Sequence, residues 1–370
     1  MGLDIGSSSI KLVELARGFF GYELKSMAVI SLPRGAVENT EVRDSAIVLQ
    51  ALKDAIEVAQ PFTRKVAVSV SGPAVSIKRV SVPKMPQDKV QAFINKRVSQ
   101  YLDCDVRKVF FDYQVLGSAA DNPTQLDIVI AACKREVVEK YQKILGKAGL
   151  QVMCVDYSAF CLENAIELIQ GRATRRYLDP MEELHGKEWM RRATSWLEKK
   201  FKPTRWSEHA DALVNIGVHT SDINILQNGH MSYVAGCACG VEKLTQEIQN
   251  FYDMNFQDAE QMERMHSSKI NSQVLEDYYE TLAAGLQQAF EAYAVKHAAH
   301  PIQKILVSGG GALIPGLERQ LEQRLKIKTA VVNPFSAIKT PAPRFNAAYL
   351  NPIGPMMMVS VGLALRGFDE

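Results

Sequence analysis

The sequence lacks the features that mark several large classes of protein. Its 43 Lys and Arg residues are balanced by 41 Asp and Glu residues, so its overall charge gives no reason to bind nucleic acid. Its six cysteines form no C-x-x-C pair, which argues against a zinc or dithiol site and favours reduced thiols. No signal peptide precedes Gly2, and the longest apolar run, residues 356–365, is too short to cross a bilayer. We therefore expect a cytoplasmic protein that meets a membrane only through partners.

The usual phosphate-binding fingerprints are also missing. There is no G-x-x-x-x-G-K-[ST] sequence, and Gly309 and Gly311 are followed by Ile314 where a dinucleotide-binding motif has its third glycine. The seven histidines do not cluster. His219 alone lies in a loop of interest, where a structural role is more common than a catalytic one. A P-loop NTPase and a Rossmann dehydrogenase are therefore poor fits.

An internal repeat is what the sequence does contain. Residues 3–6, LDIG, are followed by a small polar loop, the strand pattern KLVEL and a third strand. The same order returns at residues 213–217, where LVNIG precedes a polar loop, the strand pattern DINILQ and the strand MSYVAG. A chain of 370 residues is longer than a single core usually spans. The duplication therefore predicts two lobes that face a common ligand.

Two loops and one glycine-rich segment carry the chemistry. A single loop of this kind is typical of a plain hairpin turn. Here two matched loops are followed by a third segment, SGGGA at residues 308–312, which comes directly after the strand KILV. This combination favours a nucleotide-binding site, because the N–H groups of tight turns and glycines at the end of a strand can bind phosphate. We expect Asp4 to hold a magnesium ion largely through water and Lys11 to add a point charge. The predicted nucleotide-contacting residues are Gly6, Ser7, Ser8, Ser9, Lys11, Asn215, Gly217, Thr220, Gly309, Gly310 and Gly311.

Two further segments interrupt the repeat. Residues 79–152 have the pattern strand, helix, strand, strand, helix and the size of a small subdomain. Residues 171–209 are basic in places and contain all three tryptophans. This pattern predicts either a helix that binds a membrane surface or a partner or, more commonly, an inserted hairpin that packs its tryptophans on the main body. We assign residues 1–78 and 153–210 to lobe 1, 79–152 to an inserted subdomain and 211–370 to lobe 2, with the final helix, 354–367, returning to lobe 1.

Together these motifs resemble the actin-like ATPase superfamily, which includes actin, Hsp70 chaperones, sugar kinases and bacterial filament proteins. Its phosphate-1, phosphate-2 and adenosine motifs correspond to LDIGSSSIKL, LVNIGVHTSDINIL and VSGGGALIPGL. Within the superfamily, DIGSSSIKLVEL, VDYSAFCLENA, VNPF and the terminal VGLALRGFD are similar to the PilM family of the type IV pilus. The resemblance implies an α/β, two-lobed actin-like (ribonuclease H-like, duplicated) fold with an FtsA/PilM-type small subdomain inserted in lobe 1.

The resemblance also implies a function and partners. PilM-like proteins bind ATP between their lobes and hold the N-terminal cytoplasmic segment of the inner-membrane protein PilN, and the pilus assembly ATPases are further candidate partners. We therefore expect an ATP-binding scaffold of type IV pilus assembly, peripheral to the inner membrane, with ATP and Mg²⁺ as cofactors and the nucleotide as a conformational clamp. Asn215 departs from the usual phosphate-2 aspartate, which predicts weak metal binding and weak or absent ATP hydrolysis.

Two alternatives stay open on the sequence. A small-molecule kinase of the same superfamily would need a general acid–base residue for the acceptor hydroxyl, and a substrate pocket. An FtsA-like divisome or filament protein would carry a C-terminal amphipathic membrane helix. The chain instead finishes on VGLALRGFDE, which is typical of a helix belonging to the fold.

Overall fold

A computed structural model describes most of the chain. The described ranges are 1–18, 21–38, 40–102, 104–119, 122–171, 209–227, 230–265, 269–341 and 344–368. The tryptophan-bearing insertion predicted at 171–209 lies outside them, apart from its two end residues. The chain divides into two compact units: unit 1 comprises residues 1–12, 26–158 and 366–370, and unit 2 comprises residues 13–25 and 159–365.

Strands and helices are mixed along the described part of the chain. The strands are β1 (Gly2–Ile5), β2 (Ser9–Gly18), β3 (Gly21–Ser31), β4 (Val37–Glu38), β5 (Glu41–Val42), β6 (Lys65–Val70), β7 (Val75–Pro83), β8 (Val109–Ala119), β9 (Asn122–Lys134), β10 (Gln151–Tyr157), β11 (Ala210–Ile216), β12 (Ser221–Gln227), β13 (His230–Cys237), β14 (Ile302–Ser308), β15 (Lys328–Val331) and β16 (Ile338–Lys339). The helices are α1 (Ser45–Ala59), α2 (Gln87–Leu102), α3 (Arg135–Lys147), α4 (Ser158–Ile169), α5 (Val241–Tyr252), α6 (Phe256–Met265), α7 (Ser272–Lys296), α8 (Leu317–Leu325), α9 (Ala347–Ile353) and α10 (Met358–Leu365).

In the main sheet, β10, β6, β1, β2 and β3 are neighbours in that order. Of the last two strands, only the first part of β2 and the last part of β3 belong to unit 1. Strands β1, β6 and β10 are parallel. Helix α1 begins after Asp44, whose side chain accepts hydrogen bonds from the N–H groups of Ala46 and Ile47. Apolar residues of α1, such as Val48 and Leu52, are fully buried in one core with residues of the sheet and of α3.

A second, smaller sheet in unit 1 has its own core. Strands β7, β9 and β8 pair antiparallel in that order, with β9 in the centre. Helix α2 presents Val90, Ile94 and Val98, which recur every fourth residue and share a core with Ile128 and Ile130 of β9. The elements predicted for the small subdomain are therefore present, while its limits at 79 and 152 stay a prediction.

Unit 2 is built on a five-stranded sheet with the order β13-β12-β11-β14-β15. Strands β11, β12 and β13 form the antiparallel meander that the repeat predicts, and β14 and β15 continue the sheet in parallel with β11. Helices α5 to α8 contribute to the core that includes β11, β12 and β14. The carboxyl ends of β11 and β14 lie side by side, because Asn215 is in register with Ser308.

Residues 347–368 form a helical run that by length and composition could cross a membrane. This run is longer than the apolar stretch found in the sequence, because it includes polar positions of α9. Of its most apolar window, 67% is buried inside the protein, which is typical of a core helix.

The six cysteines are all free thiols. Four of them, including Cys133 and Cys239, are buried. Burial raises the pKa of the Cys133 thiol to about 11 and that of Cys239 to about 12. These two thiols are therefore kept protonated and unreactive, as expected of cysteines in apolar stretches.

Candidate functional site

The turn between β1 and β2 is closed by a hydrogen bond from the N–H of Gly6 to the carbonyl of Ser9, with an N···O distance of 3.0 Å. The carbonyl of Ser8 accepts a second bond, from the N–H of Leu32 at 2.8 Å. The N–H groups of Ser7 and Ser8 donate to no group in the part of the chain that the structure describes. A tight turn with unbonded N–H groups is a site where an anion can bind.

Asp4, at the end of β1, is bound by two side chains. Its Oδ2 lies 3.1 Å from Nζ of Lys11, and its Oδ1 accepts from Oγ of Ser69 at 3.3 Å. Both members of the ion pair are mostly buried, with side-chain exposures of 11% for Lys11 and 17% for Asp4. The charge of Asp4 is therefore balanced within unit 1, and Ser69 of β6 belongs to the site although the sequence did not indicate it.

The three serines of the first turn do not share one environment. Ser7 and Ser8 are half-buried, whereas Ser9 is 5% exposed and begins β2. The hydroxyl of Ser9 has no hydrogen-bond partner among the described residues. The fold thus separates Ser9, predicted as a phosphate ligand, from the two serines in the mouth of the turn.

The turn between β11 and β12 repeats the first turn closely. The N–H of Gly217 donates to the carbonyl of Thr220 at 2.9 Å, so Gly217 and Thr220 correspond to Gly6 and Ser9. The N–H groups of Val218 and His219 donate to no group within the described ranges. The duplication predicted from the sequence thus extends to the hydrogen bond that closes each turn.

Helix α5 holds this second turn in place. The carbonyls of Gly217 and Val218 accept from the N–H groups of Val241 and Glu242, at 2.9 and 2.8 Å. A side chain at Gly240 would clash with the carbonyl of Val218, so the close approach of helix and turn requires glycine there. The first N–H groups of α5 are therefore bonded to the turn itself.

A histidine and a glutamate join the same two elements through their side chains. Nδ1 of His219 lies 2.6 Å from Oε2 of Glu242. The two side chains are 26% and 14% exposed. Sequence reasoning noted His219 but missed Glu242, because their proximity depends on how α5 packs against the turn.

Asn215 ends β11 at the position that Asp4 holds at the end of β1. Its Oδ1 accepts a hydrogen bond from Oγ of Ser308 at 3.3 Å. Its register partner on β12 is Asp222, and directly opposed residues of antiparallel strands point to the same face of the sheet. The carboxylate that is absent at 215 is therefore present on the neighbouring strand, at the position that corresponds to Lys11 of the first repeat.

The three glycines after β14 have different roles. Gly309 has a φ of +87°, and a side chain there would clash with the carbonyl of Ile216. A side chain at Gly311 would clash with the side chain of Ile216. Gly310 is exposed and has open space around it, so it is the member of the set that a ligand can approach. The N–H of Gly309 donates to the carbonyl of Pro355 at 2.9 Å.

The VNPF segment, residues 332–335, packs close to the glycine-rich exit of β14 in unit 2. Oδ1 of Asn333 accepts from the N–H of Phe335 at 2.9 Å. A Cβ at Gly354 would clash with the side-chain amide of Asn333, so the close approach of these two residues favours glycine. Pro355 follows Gly354 in the chain, and its carbonyl accepts the hydrogen bond from Gly309. The contact between Asn333 and Gly354 therefore helps to fix the position of the glycine-rich strand exit.

The predicted residues thus form two groups. Unit 1 brings together Asp4, Gly6, Ser7, Ser8 and Lys11. Unit 2 brings the second turn and the glycine-rich exit to the carboxyl ends of two adjacent strands, which is where α/β folds commonly bind ligands. This second group contains Asn215, Gly217, Thr220, Gly309, Gly310 and Gly311.

A family model described as type IV pilus assembly protein PilM matches residues 2–177 and 189–368 of the chain. The chain belongs to the PilM family. One similar solved structure is a PilM-PilN type IV pilus biogenesis complex, with 22% identity, coverage of 99% of this chain and 97% of that chain, and a TM-score of 0.79. Another is the ethanolamine utilization protein EutJ from Carboxydothermus hydrogenoformans, with 14% identity, coverage of 98% and 88%, and a TM-score of 0.55.

These matches decide two of the predictions made from the sequence. The resemblance to the PilM family is confirmed, because the family model covers nearly the whole chain. The two-lobed, actin-like α/β fold class is confirmed by the matches to the PilM-PilN complex and to EutJ. Membership of the PilM family assigns the chain to type IV pilus assembly.

Proposed function

We propose that this member of the PilM family is a cytoplasmic, ATP-binding scaffold of type IV pilus assembly. In this proposal it binds the N-terminal cytoplasmic segment of a PilN-like inner-membrane protein and is peripheral to the inner membrane through that partner. The matched turns after β1 and β11 are the observation that carries the nucleotide part. The family and the similar PilM-PilN complex support the partner.

ATP suits the chemistry of the two turns. Each turn offers two N–H groups that donate to no described residue, from Ser7 and Ser8 in one turn and from Val218 and His219 in the other. Lys11 places its positive charge beside the first turn, because its Nζ lies 3.3 Å from the position that a Cβ on Gly6 would occupy. Unbonded N–H groups and an ammonium are the donors that phosphate oxygens require.

A magnesium ion fits these residues only as a partner of the nucleotide. The described residues include no group of three or more His, Cys, Asp or Glu side chains able to hold a metal ion. Asp4 and Asp222 are the carboxylates that would hold magnesium, through water, against phosphate oxygens. When bound, the ion supplies neutralisation of phosphate charge.

The nucleotide acts in this proposal as a clamp rather than as a fuel. ATP that contacts both units stabilises the form of the protein in which both sets of contacts are made. Asp4 already accepts from Lys11 and Ser69, and Asn215 carries no charge, so neither strand end offers an unpaired carboxylate to activate water. We therefore expect weak or absent ATP hydrolysis.

The small sheet of unit 1 is the part of the chain that we propose takes part in partner contacts. Its strand β8 exposes Phe110 and Leu116, which are 39% and 40% exposed. Exposed apolar side chains at one strand give a partner segment a surface on which to bury its own apolar residues. The pilus assembly ATPases are further candidate partners.

The first test is calorimetric titration with ATP, in magnesium and in EDTA. The wild-type protein is compared with an Asp4→Asn/Lys11→Met double variant, which removes the ion pair without leaving one buried charge alone. Lys78→Met, at an exposed lysine of β7, is the matched control. We expect the double variant to bind ATP at least about tenfold more weakly, because a charge-assisted hydrogen bond is lost, and the control to bind normally.

The same samples are assayed for phosphate release, and slow or absent release supports the clamp. Failure of the wild-type protein to bind ATP would remove the nucleotide part of the proposal. Family membership would be unaffected by that result.

The second test uses a labelled peptide with the sequence of the N-terminal cytoplasmic segment of a PilN-like protein from the same organism. Fluorescence anisotropy compares its binding with that of a scrambled peptide, with and without ATP. We expect specific binding that tightens in ATP. Equal affinity in both conditions would contradict the clamp, and no preference over the scrambled peptide would contradict the partner.

A further inference from the structure

The side chains of His219 and Glu242 have no role in the function proposed above, which uses only the backbone N–H of His219. Its histidine lies at the tip of the second turn, one residue before Thr220, and therefore corresponds to Ser8 of the first turn. A serine offers a small hydroxyl at that position, whereas a histidine offers a ring nitrogen at a longer reach. We infer that His219 is a ligand of a nucleotide phosphate and that Glu242 is the residue that positions it, an inference that rests on the proposed ATP binding.

The contact between the two side chains decides which nitrogen is available. Nδ1 of His219 lies 2.6 Å from the carboxylate of Glu242, an arrangement in which Nδ1–H donates and the carboxylate accepts. The remaining nitrogen, Nε2, points away from that bond because of the geometry of the ring. Glu242 thus fixes the direction of the ring, as carboxylates commonly do for functional histidines.

The backbone around the pair leaves few other donors for a phosphate. The N–H groups of Val241 and Glu242, at the start of α5, are bonded to the carbonyls of Gly217 and Val218. A phosphate at this turn would therefore meet the imidazole together with the N–H groups of Val218 and His219, which donate to no other group in the described ranges. A charged imidazole donates from both nitrogens, so it can bind Glu242 and a phosphate oxygen at the same time.

A purely structural role is the competing explanation. In that case the pair would serve to fasten the turn to α5. The two backbone hydrogen bonds and the close packing at Gly240 already do so without the side chains. We therefore expect removal of the imidazole to change ligand binding more than stability.

The experiment is a comparison of ATP and adenosine affinities by calorimetry. The variants are His219→Ala, His219→Gln and Glu242→Gln, with Glu247→Gln as the matched control. Glu247 pairs with Lys243 further along the same helix, at 2.7 Å. Thermal melting of each variant, followed by circular dichroism, reports whether the fold is intact.

We expect His219→Ala to weaken ATP binding about tenfold, as for the loss of a charge-assisted hydrogen bond, and to leave adenosine binding unchanged. His219→Gln, which keeps a donor, should lose less. Glu242→Gln should weaken ATP binding about threefold, because the ring loses the carboxylate that fixes its direction. Glu247→Gln should match the wild-type protein.

Two results would overturn the inference while ATP binding by the wild-type protein stands. One is an unchanged affinity of His219→Ala for ATP. The other is an equal loss of ATP and adenosine binding in His219→Ala and His219→Gln, together with a lower melting temperature, which would assign the pair a structural role. Absence of ATP binding in the wild-type protein would instead refute the proposed function, and the inference with it.

Discussion

Nε of Arg366 lies 2.5 Å from Oδ2 of Asp156, which joins residues 210 positions apart in the sequence. The other oxygen of Asp156 accepts from the N–H of Tyr157 at 2.8 Å. The side chain of Asp156 is 9% exposed and that of Arg366 is 27% exposed. Two motifs that carry part of the resemblance to the PilM family, one containing Asp156 and the other Arg366, therefore each contribute one member of an ion pair in unit 1.

Replacement of Arg366 by alanine should destabilise the protein. The mostly buried carboxylate of Asp156 would lose the guanidinium that bonds its Oδ2, and breaking a buried pair of this kind costs about 3–5 kcal/mol. Urea unfolding followed by circular dichroism measures the loss. Arg107→Ala is the control, because Arg107 pairs with Asp105 at the surface and is 89% exposed. Equal unfolding midpoints for the two variants would show that the pair at Asp156 is not a stabilising one.

Alanine should lower the stability of the protein at position 309 but not at position 310. Gly309 has a φ of +87° and packs against the carbonyl of Ile216, so Gly309→Ala introduces both strain and a clash and should cost about 1–3 kcal/mol. Gly310 has nothing within 4 Å of an added Cβ, so Gly310→Ala should leave stability unchanged. Chemical denaturation of the two variants measures the difference. A similar loss in both would mean that the strand exit is not packed as described.

The repeat and its turns could be predicted from the sequence because the signals are local. Alternating apolar residues indicate strands, and glycine followed by small polar residues indicates a tight turn. The matched hydrogen bonds of Gly6 to Ser9 and of Gly217 to Thr220 follow directly from those two patterns. The assignment of phosphate ligands within the turns stays a prediction.

Other members of the site could not be predicted, since they depend on strand pairing. Ser69 bonds Asp4 only because β6 pairs with β1, and Ser308 bonds Asn215 only because β14 pairs with β11. A signal did exist for Asp222. Alignment of the two repeats residue by residue sets it opposite Asn215, where the first repeat has Lys11.

Glu263 should make the stability of unit 2 depend on pH. Burial raises the pKa of this carboxyl from an ordinary value of 4.5 to about 7 in the folded protein. Between these two values the folded state binds more protons than the unfolded state, so stability falls as the pH rises from about 4.5 through 7. Glu263→Gln should remove this slope and make the protein more stable at pH 8, by about 1–3 kcal/mol.

Unfolding by urea at a series of pH values between 4.5 and 8 tests this prediction. Glu318→Gln is a suitable control, because Glu318 is an exposed carboxylate of helix α8 in the same unit. A slope that persists in Glu263→Gln would assign the pH dependence to another group.

Asn215→Asp should make ATP binding more dependent on magnesium. The new carboxylate would lie opposite Asp222 on β12, so two negative charges would face each other at the end of β11. In EDTA their repulsion should weaken ATP binding, whereas in magnesium the added oxygen ligand should offset it, because small hard cations favour carboxylates and water. The ratio of ATP affinities with and without magnesium should rise about tenfold, which calorimetry measures directly. The Asn215→Asp/Asp222→Asn double variant restores a single carboxylate and should return the ratio to that of the wild-type protein. A ratio that does not change in Asn215→Asp would mean that the end of β11 does not meet the metal ion of the nucleotide.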